Sequence, residues 1–533
     1  MRRLATFVIA LGLAATACVA GADIVPADLD GTTTSTFAPV TTLPGTETTV
    51  DDGEEQPSTS TVPSSTSPTT VARNTGVVPP ESVGQPWGEV VGLTMFRGNP
   101  TRTFYGSGPV PLQTPDELWR FPKQSDEQMC GQSPVGKDPK VWCGSGWTGQ
   151  PVVWERPDGI TEVIFGAYDK QIHFLDAETG ERTRPDFDMG DIIKGSVTLD
   201  PDGYPLLYTG SRDPRFRIIA IDGDEPREVW SLHARAVEGI WNDDWDSNPV
   251  IVDDIMYEGG ENSWWFAVKL NRSYDAEGKV TVNPEIVYQM PAWTDELTEI
   301  FGRQHSVENS TAVFEERAYF STSAGRVVGV DVSNVEEGEA EVFFDFWNGD
   351  DTDATITIDA EGYLYVVSHA DTAKRNNTAA RRVRDVGDLA KLDPDDPDDP
   401  VVWSVHLSAA RGQDAGAWAT PALHPEAGLL FVVSDTGDII AVDTTTGETV
   451  WQDFVGGNAW SSPAIVDGTL IVGIDCMTNH SGFRAYDLTN PRSPQKMWDV
   501  AVGTGACIES TPAVWNGRIY VGSRDGFFYA LGK

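Results

Sequence analysis

One theme recurs eight times in this chain, and its clearest copy reads Ala441-Val442-Asp443-Thr444-Thr445-Thr446-Gly447-Glu448-Thr449-Val450-Trp451. An apolar strand ends in Ala-x-Asp, a Thr-Gly turn follows, and a new strand opens on Trp. The strand-opening aromatics are Trp119, Phe187, Trp230, Tyr288, Phe346, Trp403, Trp451 and Trp498. Their spacing is 43 to 58 residues, except that the first interval holds an insertion. A unit of this length holds four short strands and cannot bury an apolar face alone, whereas neighbouring copies stacked side by side can. The expected fold is all-β, an eight-bladed propeller of four-stranded blades.

After each aromatic comes a small polar cluster and then a short apolar strand. The clusters are Gln150-Pro151-Val152, Gly195-Ser196-Val197, Asn248-Pro249-Val250, Ser310-Thr311-Ala312, Ala354-Thr355-Ile356, Thr420-Pro421-Ala422, Ser462-Pro463-Ala464 and Thr511-Pro512-Ala513. Proline is tolerated at a strand's first residue, where its missing N–H lies outside the ladder. Second strands such as Leu470-Ile471-Val472-Gly473 and third strands such as Phe527-Phe528-Tyr529-Ala530-Leu531 follow. The runs alternate or are continuously apolar over a few residues and are bounded by Gly, Asp and Asn, which is the strand signal. No amphipathic helix of useful length is expected. The last copy lacks its aromatic-led strand, and Glu117-Leu118-Trp119-Arg120-Phe121 stands alone before the first copy. The two should pair and close the ring, which removes both sheet edges.

The pattern resembles the quinoprotein-type, or PQQ-like, propeller repeat over roughly Trp87 to Lys533. That resemblance implies that Ala441, Gly447 and Trp451 dock neighbouring blades, with weaker copies at Ala220/Trp230 and Ala485/Trp498. The run Met95-Phe96-Arg97-Gly98-Asn99-Pro100-Thr101-Arg102-Thr103 is similar to the leading segment of secreted proteins with this repeat.

Residues 1–17 read as a lipoprotein signal peptide, with Arg2 and Arg3 ahead of an apolar stretch, Leu4 to Ala15, too short for a stable span. Ala15-Thr16-Ala17-Cys18 resembles a bacterial lipobox, although Ala15 stands where Leu is usual. The resemblance implies that Cys18 is diacylated and becomes the mature N-terminus. Ordinary cleavage after Ala17 or Ala22 is the alternative, and would give a free secreted protein. Residues 18–86 are dominated by Thr, Ser, Pro and acids. Between Asp23 and Pro86 the only aromatic is Phe37 and the only basic residue is Arg73. Such a segment buries too little apolar surface to offset its ordering entropy and is expected to be a disordered tether reaching on the order of 45 Å. Residues 87–533 are then the propeller, lipid-anchored on the extracytoplasmic face of a cell membrane.

Five cysteines less Cys18 leave four. The simplest of three pairings is Cys130–Cys143 and Cys476–Cys507, as suits an exported chain; reduced, buried thiols are the alternative. No pair has zinc-site spacing. The net charge of −43 excludes nucleic acid as a natural partner, because phosphate binding needs a basic surface. The run Asp393-Pro394-Asp395-Asp396-Pro397-Asp398-Asp399-Pro400 matches no calcium loop well and reads as a solvated surface loop. Lys374, Arg375, Arg381, Arg382 and Arg384 just before it form a basic insertion in copy five. Mutual neutralisation of the two tracts is favoured over a partner-binding loop.

In a propeller, residues entering each innermost strand ring one mouth of the channel. Alignment three residues before the conserved Pro position selects Thr148, Lys194, Asp246, Glu308, Asp353, Trp418, Trp460 and Glu509, with Trp147 and Trp245 one residue earlier. Converging carboxylates repel unless a cation sits among them, and Trp faces suit planar rings or sugars. Alternatively the Trp side chains pack between blades and the acids face solvent. Resemblance to quinoprotein dehydrogenases implies pyrroloquinoline quinone held over a Trp face with Ca²⁺ bound by Glu, Asn and Asp. The chain departs from that pattern: it has no vicinal Cys pair and no haem-attachment C-x-x-C-H, and its propeller is shorter. None of the seven His is paired at i, i+4, and no Gly-x-Ser-x-Gly or phosphate-cradling loop occurs.

These readings leave two main expectations, beside a third, a glycan- or cation-binding module using the same rim. The first is a binding or scaffold propeller, monomeric, that takes a protein partner or small ligand on one face. It resembles in repeat type and blade count the propeller lipoproteins of outer-membrane assembly, to which the Thr-rich stalk is foreign. The second is a quinone- and Ca²⁺-dependent dehydrogenase of alcohols or sugars.

Overall fold

The computed structural model describes residues 76–135, 137–147, 149–407, 416–456, 458–474 and 481–533. Eight sheets of at least four strands form the blades. Blade 1 comprises Val152–Glu155, Thr161–Gly166, Gln171–Asp176 and Phe187–Asp188. The first strands of blades 2 to 7 are Thr198–Leu199, Val250–Val252, Ala312–Phe314, Thr357–Ile358, Ala422–His424 and Ala464–Val466. Blade 8 comprises Ala513–Trp515, Arg518–Gly522 and Phe528–Gly532, and its outer strand is Asp116–Phe121, which pairs antiparallel with Phe528–Gly532. The ring closes as the orphan strand predicts. First strands of successive blades lie side by side, as in blades 4 and 5 and blades 6 and 7, so they are the innermost.

The repeat motif has a physical reason at each position. Asp443 Oδ1 accepts from the Thr445 and Thr446 amides at 3.0 Å each, which folds the turn after the third strand. Gly447 follows at φ +74°, and a Cβ there would meet the Trp403 ring of the preceding blade at 2.9 Å. Trp403 completes the dock by donating its indole N–H to the Thr444 carbonyl at 2.9 Å. Trp119 repeats the contact against blade 1, donating to the Ala177 carbonyl at 3.1 Å. Ala441, Ala485 and Ala530 lie opposite Trp451, Trp498 and Trp119 in the ladder, and a register shift interrupts the pairing beside each of these alanines. The bulge turns the outer strand so that its aromatic reaches the next blade.

The polar clusters latch the blades together near the axis. The backbone N–H of Gln150 donates to the Ser196 hydroxyl, Asn248 to Ser310, Ser310 to Thr355, Thr355 to Thr420, and Thr420 to Ser462, at 2.9 to 3.2 Å. Each small hydroxyl thus satisfies a donor that its neighbour's inner edge would leave unpaired.

Two helices depart from the sequence expectation, Asp295–Phe301 and Asn377–Val386. The second carries the basic insertion of copy five. Asn376 caps it by accepting from the Thr378 and Ala379 amides. Two basic residues of the insertion and one acid of the run have partners other than each other. Arg382 lies over the Phe346 and Trp347 rings, Arg375 pairs with Asp371, and Asp395 of the run pairs with Arg317. No described helix is long and apolar enough to cross a membrane.

Cys130 and Cys143 form a disulfide. Cys507 is also disulfide-bonded, and its expected partner Cys476 lies outside the described residues, as do Cys18, Thr148 and the tether before residue 76. Residues 76–86, which composition assigns to the tether, pack on the propeller: Val78 is buried and bridges to Glu315. Four consecutive apolar or proline residues, Val77 to Pro80, give this end of the segment something to bury.

Candidate functional site: the channel mouth

Innermost strands are sheet edges, so their inward carbonyls need partners. The leading segment supplies them. Gly92–Leu93 adds to the inner edge of blade 1 and Gly106–Ser107 to that of blade 8. Between these two strands the chain runs into the channel. Arg97 and Arg102 are both fully buried and both have positive φ, 57° and 62°. Arg97 Nη1 donates to the Pro463 carbonyl at 2.6 Å, and its Nη2 to that of Pro421. Arg102 donates through Nε to Thr311 O at 3.0 Å and through Nη1 to Phe96 O at 2.8 Å. Gln150 Nε2 takes the Pro512 carbonyl at 2.8 Å. The conserved Pro positions therefore present carbonyls to the axis, and the leading segment plugs the channel by binding them.

Above the plug lies a cavity of about 20 Å³, with Phe96 at its base. Trp147, Asp246, Glu308 and Asp353 line it. The alignment thus brings four blades' rim residues to one small space. Lys194 reaches the same group: its ammonium pairs with Asp246 and lies 3.2 Å from Glu261 Oε1. Glu509 is placed apart from them, with Arg524 at 3.3 Å. Trp418 and Trp460 are half-buried. They pack with Trp147 at ring-centroid distances of 4.8 and 5.5 Å and with each other at 4.8 Å. Trp245 is a packing residue between Phe216 and Phe266, and it sits against Gly210, where a Cβ would lie 2.1 Å away.

Three acids that the alignment did not select join the group. Asp244 pairs with Arg212 at 2.5 Å, and Glu261 accepts from Asn242 Nδ2 at 2.8 Å. Ligand atoms of Asp244, Asp246 and Glu261 lie within 4.8 Å of one another. Asp351 is buried beside Asp353, and its Oδ1 has no hydrogen-bond partner. A second device borders the Trp cluster: His369 Nδ1 bonds Asp435, and the His369 ring lies 4.5 Å from Trp418. Asp244 and Asp351 each stand two residues from an aligned acid, so a doubled acid at alternate positions was the available signal. Glu261 opens the polar-aromatic run Glu261-Asn262-Ser263-Trp264-Trp265, a pattern that suits a binding face and blade packing equally.

The electrostatics follow from burial. Asp246, Glu308 and Asp351 are held well above the usual carboxylate range, by burial first; neighbouring carboxylates add to this, and Lys194 opposes it at Asp246 and Glu308. Burial and Glu261 push Asp244 up to about 7 against Lys194 and Arg212. Burial takes Asp353 to about 6, opposed by His369. Glu261 moves the other way despite its burial, down to about 2, because Lys194 and bonds to Asp246 and Asn242 favour its charge. An environment this rich in carboxyl groups suits a cation.

The implied quinone does not fit this mouth. Binding pockets for ligands of that size occupy roughly 300–1,000 Å³, against about 20 Å³ here. The Trp rings that would floor such a cofactor pack against one another at tilted or edge-on angles.

Residues 385–490 match the family model described as outer membrane protein assembly factor BamB. No curated protein matches the chain significantly. Among solved structures, quinohemoprotein alcohol dehydrogenase from Comamonas testosteroni aligns over 83% of this chain and 80% of its own at 12% identity, with a TM-score of 0.51, a likeness of fold. BamB from Moraxella catarrhalis aligns over 79% of this chain and 100% of its own at 12% identity and a TM-score of 0.36. The computationally designed Ika8 protein aligns over 73% of this chain and 98% of its own at 13% identity and a TM-score of 0.47.

Proposed function

We propose that this PQQ-like repeat propeller is an exported, membrane-anchored binding or scaffold module and not a quinoprotein dehydrogenase. The observation that carries the reading is the channel mouth, where plug, acids and packed indoles leave about 20 Å³. Binding then falls to the loops and faces of a rigid ring, on which a protein partner docks. The match of residues 385–490 to a model described as an assembly factor is in keeping with such a role. Export is supported by the charged and apolar opening of the chain, by Cys18 in its lipobox-like setting, and by the Cys130–Cys143 disulfide, which belongs in an oxidising compartment.

The test is reconstitution. Full-length protein incubated with pyrroloquinoline quinone and Ca²⁺ should retain no quinone absorbance after desalting, and should reduce no dye with a panel of alcohols and sugars. Stoichiometric retention with dye reduction would replace this reading with the dehydrogenase. Detergent partitioning and mass spectrometry of the mature N-terminus test the anchor. Cys18→Ser should move the protein from the detergent to the aqueous phase.

A further inference from the structure

Three residues after each latching residue, one strand residue turns its N–H and carbonyl to the axis, and the leading segment meets these groups blade by blade. Leu93 pairs with Val153 in blade 1, and Gly106 with Val514 in blade 8. The carbonyl of Thr94 accepts from the Leu199 amide at 2.7 Å, that of Pro100 from Val313 at 2.9 Å, and that of Thr101 from Ile358 at 3.2 Å. Trp87 Nε1 donates to the Ile251 carbonyl at 3.2 Å. In blade 6 the Tyr105 hydroxyl accepts from the Leu423 amide at 2.7 Å and donates to its carbonyl at 3.2 Å. Blade 7 is passed over, because Tyr105 serves blade 6 and the very next residue already pairs with blade 8. Ile465 holds the corresponding place: it faces Leu470 in the ladder as Leu423 faces Leu430, and Pro463, two residues before it, gives its carbonyl to Arg97. Among the described residues, nothing outside its own blade bonds the Ile465 N–H or carbonyl. A groove of about 630 Å³ opens at this place, with Phe104, Tyr105, Leu423 and Val466 among its walls. Glu426 and Asp467 stand exposed on its rim. Burial holds the His424 imidazole below its ordinary value, so at neutral pH these two acids are the only charged side chains lining the groove.

We propose that this groove takes an extended peptide of a partner protein, carrying lysine or arginine, as an added strand on the inner edge of blade 7. An open sheet edge is a template for such addition: main-chain bonds to Ile465 give affinity, and the groove walls read the side chains. The site continues an interface that the chain itself uses, since Gly106–Ser107 is already an added strand on the neighbouring blade 8. Its volume lies within the roughly 300–1,000 Å³ of binding pockets. The two rim acids select a cationic peptide. They disfavour the chain's own tether, where Arg73 is the only basic residue between Asp23 and Pro86, and a second copy of a chain with net charge −43. Glu426 and Asp467 follow the innermost strands whose entering residues ring the mouth, so the peptide docks at the opposite end of the channel. The inference rests on the binding-module reading and gives that reading a site.

Fluorescence anisotropy with full-length protein tests it, using labelled hexapeptides that alternate valine with lysine or valine with glutamate. The valine–lysine peptide should bind saturably, and the valine–glutamate peptide at least about tenfold more weakly. Methylating alternate backbone nitrogens of the valine–lysine peptide, which removes its strand donors, should also weaken it at least about tenfold. Ile465→Pro should have the same effect, and it should melt with the unaltered protein, because the N–H it removes lies outside the ladder. Asp467→Asn, on an exposed turn, should weaken the peptide about threefold or more and keeps the test valid if Ile465→Pro fails to fold. Hydrogen exchange checks the edge without a ligand: the Ile465 amide should exchange at least about tenfold faster than those of Leu423 and Val514, and the valine–lysine peptide should slow it. An Ile465 amide as protected as that of Leu423 in the free protein would overturn the proposal, placing the tether or, if protection grows with protein concentration, a second copy on the edge. No binding of the valine–lysine peptide would overturn it too, as would binding indifferent to N-methylation or to both substitutions. Those outcomes strike this groove alone, whereas quinone retention with dye reduction would strike the binding-module reading.

Discussion

The two ends of the channel handle buried charge in opposite ways. In the plug, Arg97 and Arg102 are surrounded by backbone carbonyls that the ring must satisfy in any case, so cation and edge strands complete each other. At the mouth, carboxyl groups face carboxyl groups, and Lys194 and Arg212 reach only the blade 2–3 side of the group. The plug is a solved packing problem, and the mouth is a site kept under electrostatic load. Buried polar groups without partners cost stability, so a mouth of this kind points to something beyond folding.

The contrast is breakable. Arg102→Met should strand the carbonyls of Thr311 and Phe96 and destabilise the protein by about 3 kcal/mol or more, read by denaturant unfolding. A cost below about 1 kcal/mol would mean that the plug is ornamental. Lys194→Met should cost about 3 kcal/mol, and the cost should shrink as pH falls, because Asp246, held well above the usual carboxylate range, takes up its proton sooner than an ordinary carboxylate. A pH-independent cost would show that Lys194 acts by packing.

A smaller effect is the pH dependence of the unaltered protein. Asp244 titrates near 7 and Glu258, buried beside the plug, near 8, both far above their unfolded values. The folded state therefore binds more protons than the unfolded state through this window, and stability falls as pH rises. The slope is about 1 kcal/mol per pH unit for each group from about pH 5 to a little below its folded-state value, and it fades above that value. His305, lowered by burial to about 4, works in the other sense below pH 6.5, where acid must charge it in the unfolded chain first. The two carboxyl slopes together outweigh that of His305, so the melting temperature should fall as pH rises from about 5 to 8, more steeply below pH 7 than above it. The smallest effect is Asp353→Asn, which should stabilise by about 0.5–1 kcal/mol at pH 8 by removing one of the crowded charges. A loss of stability there would erase the difference between the two ends.

Much of this molecule was legible in the repeat. Asp443, Gly447 and Trp403 do in the fold what their spacing suggests, because a turn, a glycine at positive φ and an outward aromatic are local or nearest-neighbour devices. The same regularity carried the alignment that brought Asp246, Glu308, Asp353 and Lys194 to one mouth. What it missed lies off the repeat. The helix Asn377–Val386 sits in a blade insertion, where no periodic signal constrains the backbone. Arg97 and Arg102 read as part of a leading segment with no stated job, since nothing in their neighbours says that they bind carbonyls more than 200 residues away.

The sequence alone determined the ring, its eight blades, its closure by the strand around Trp119 and four of the residues that meet at the mouth, Lys194, Asp246, Glu308 and Asp353, because each follows from a period and a burial pattern. Only the tertiary structure decided that the leading segment fills the channel, that Trp147, Trp418 and Trp460 pack against one another, that Asp244, Glu261 and Asp351 join the mouth, and which acids have a cation. Those outcomes depend on how far side chains from different blades reach across one axis, and distance across an axis leaves no periodic trace in a chain.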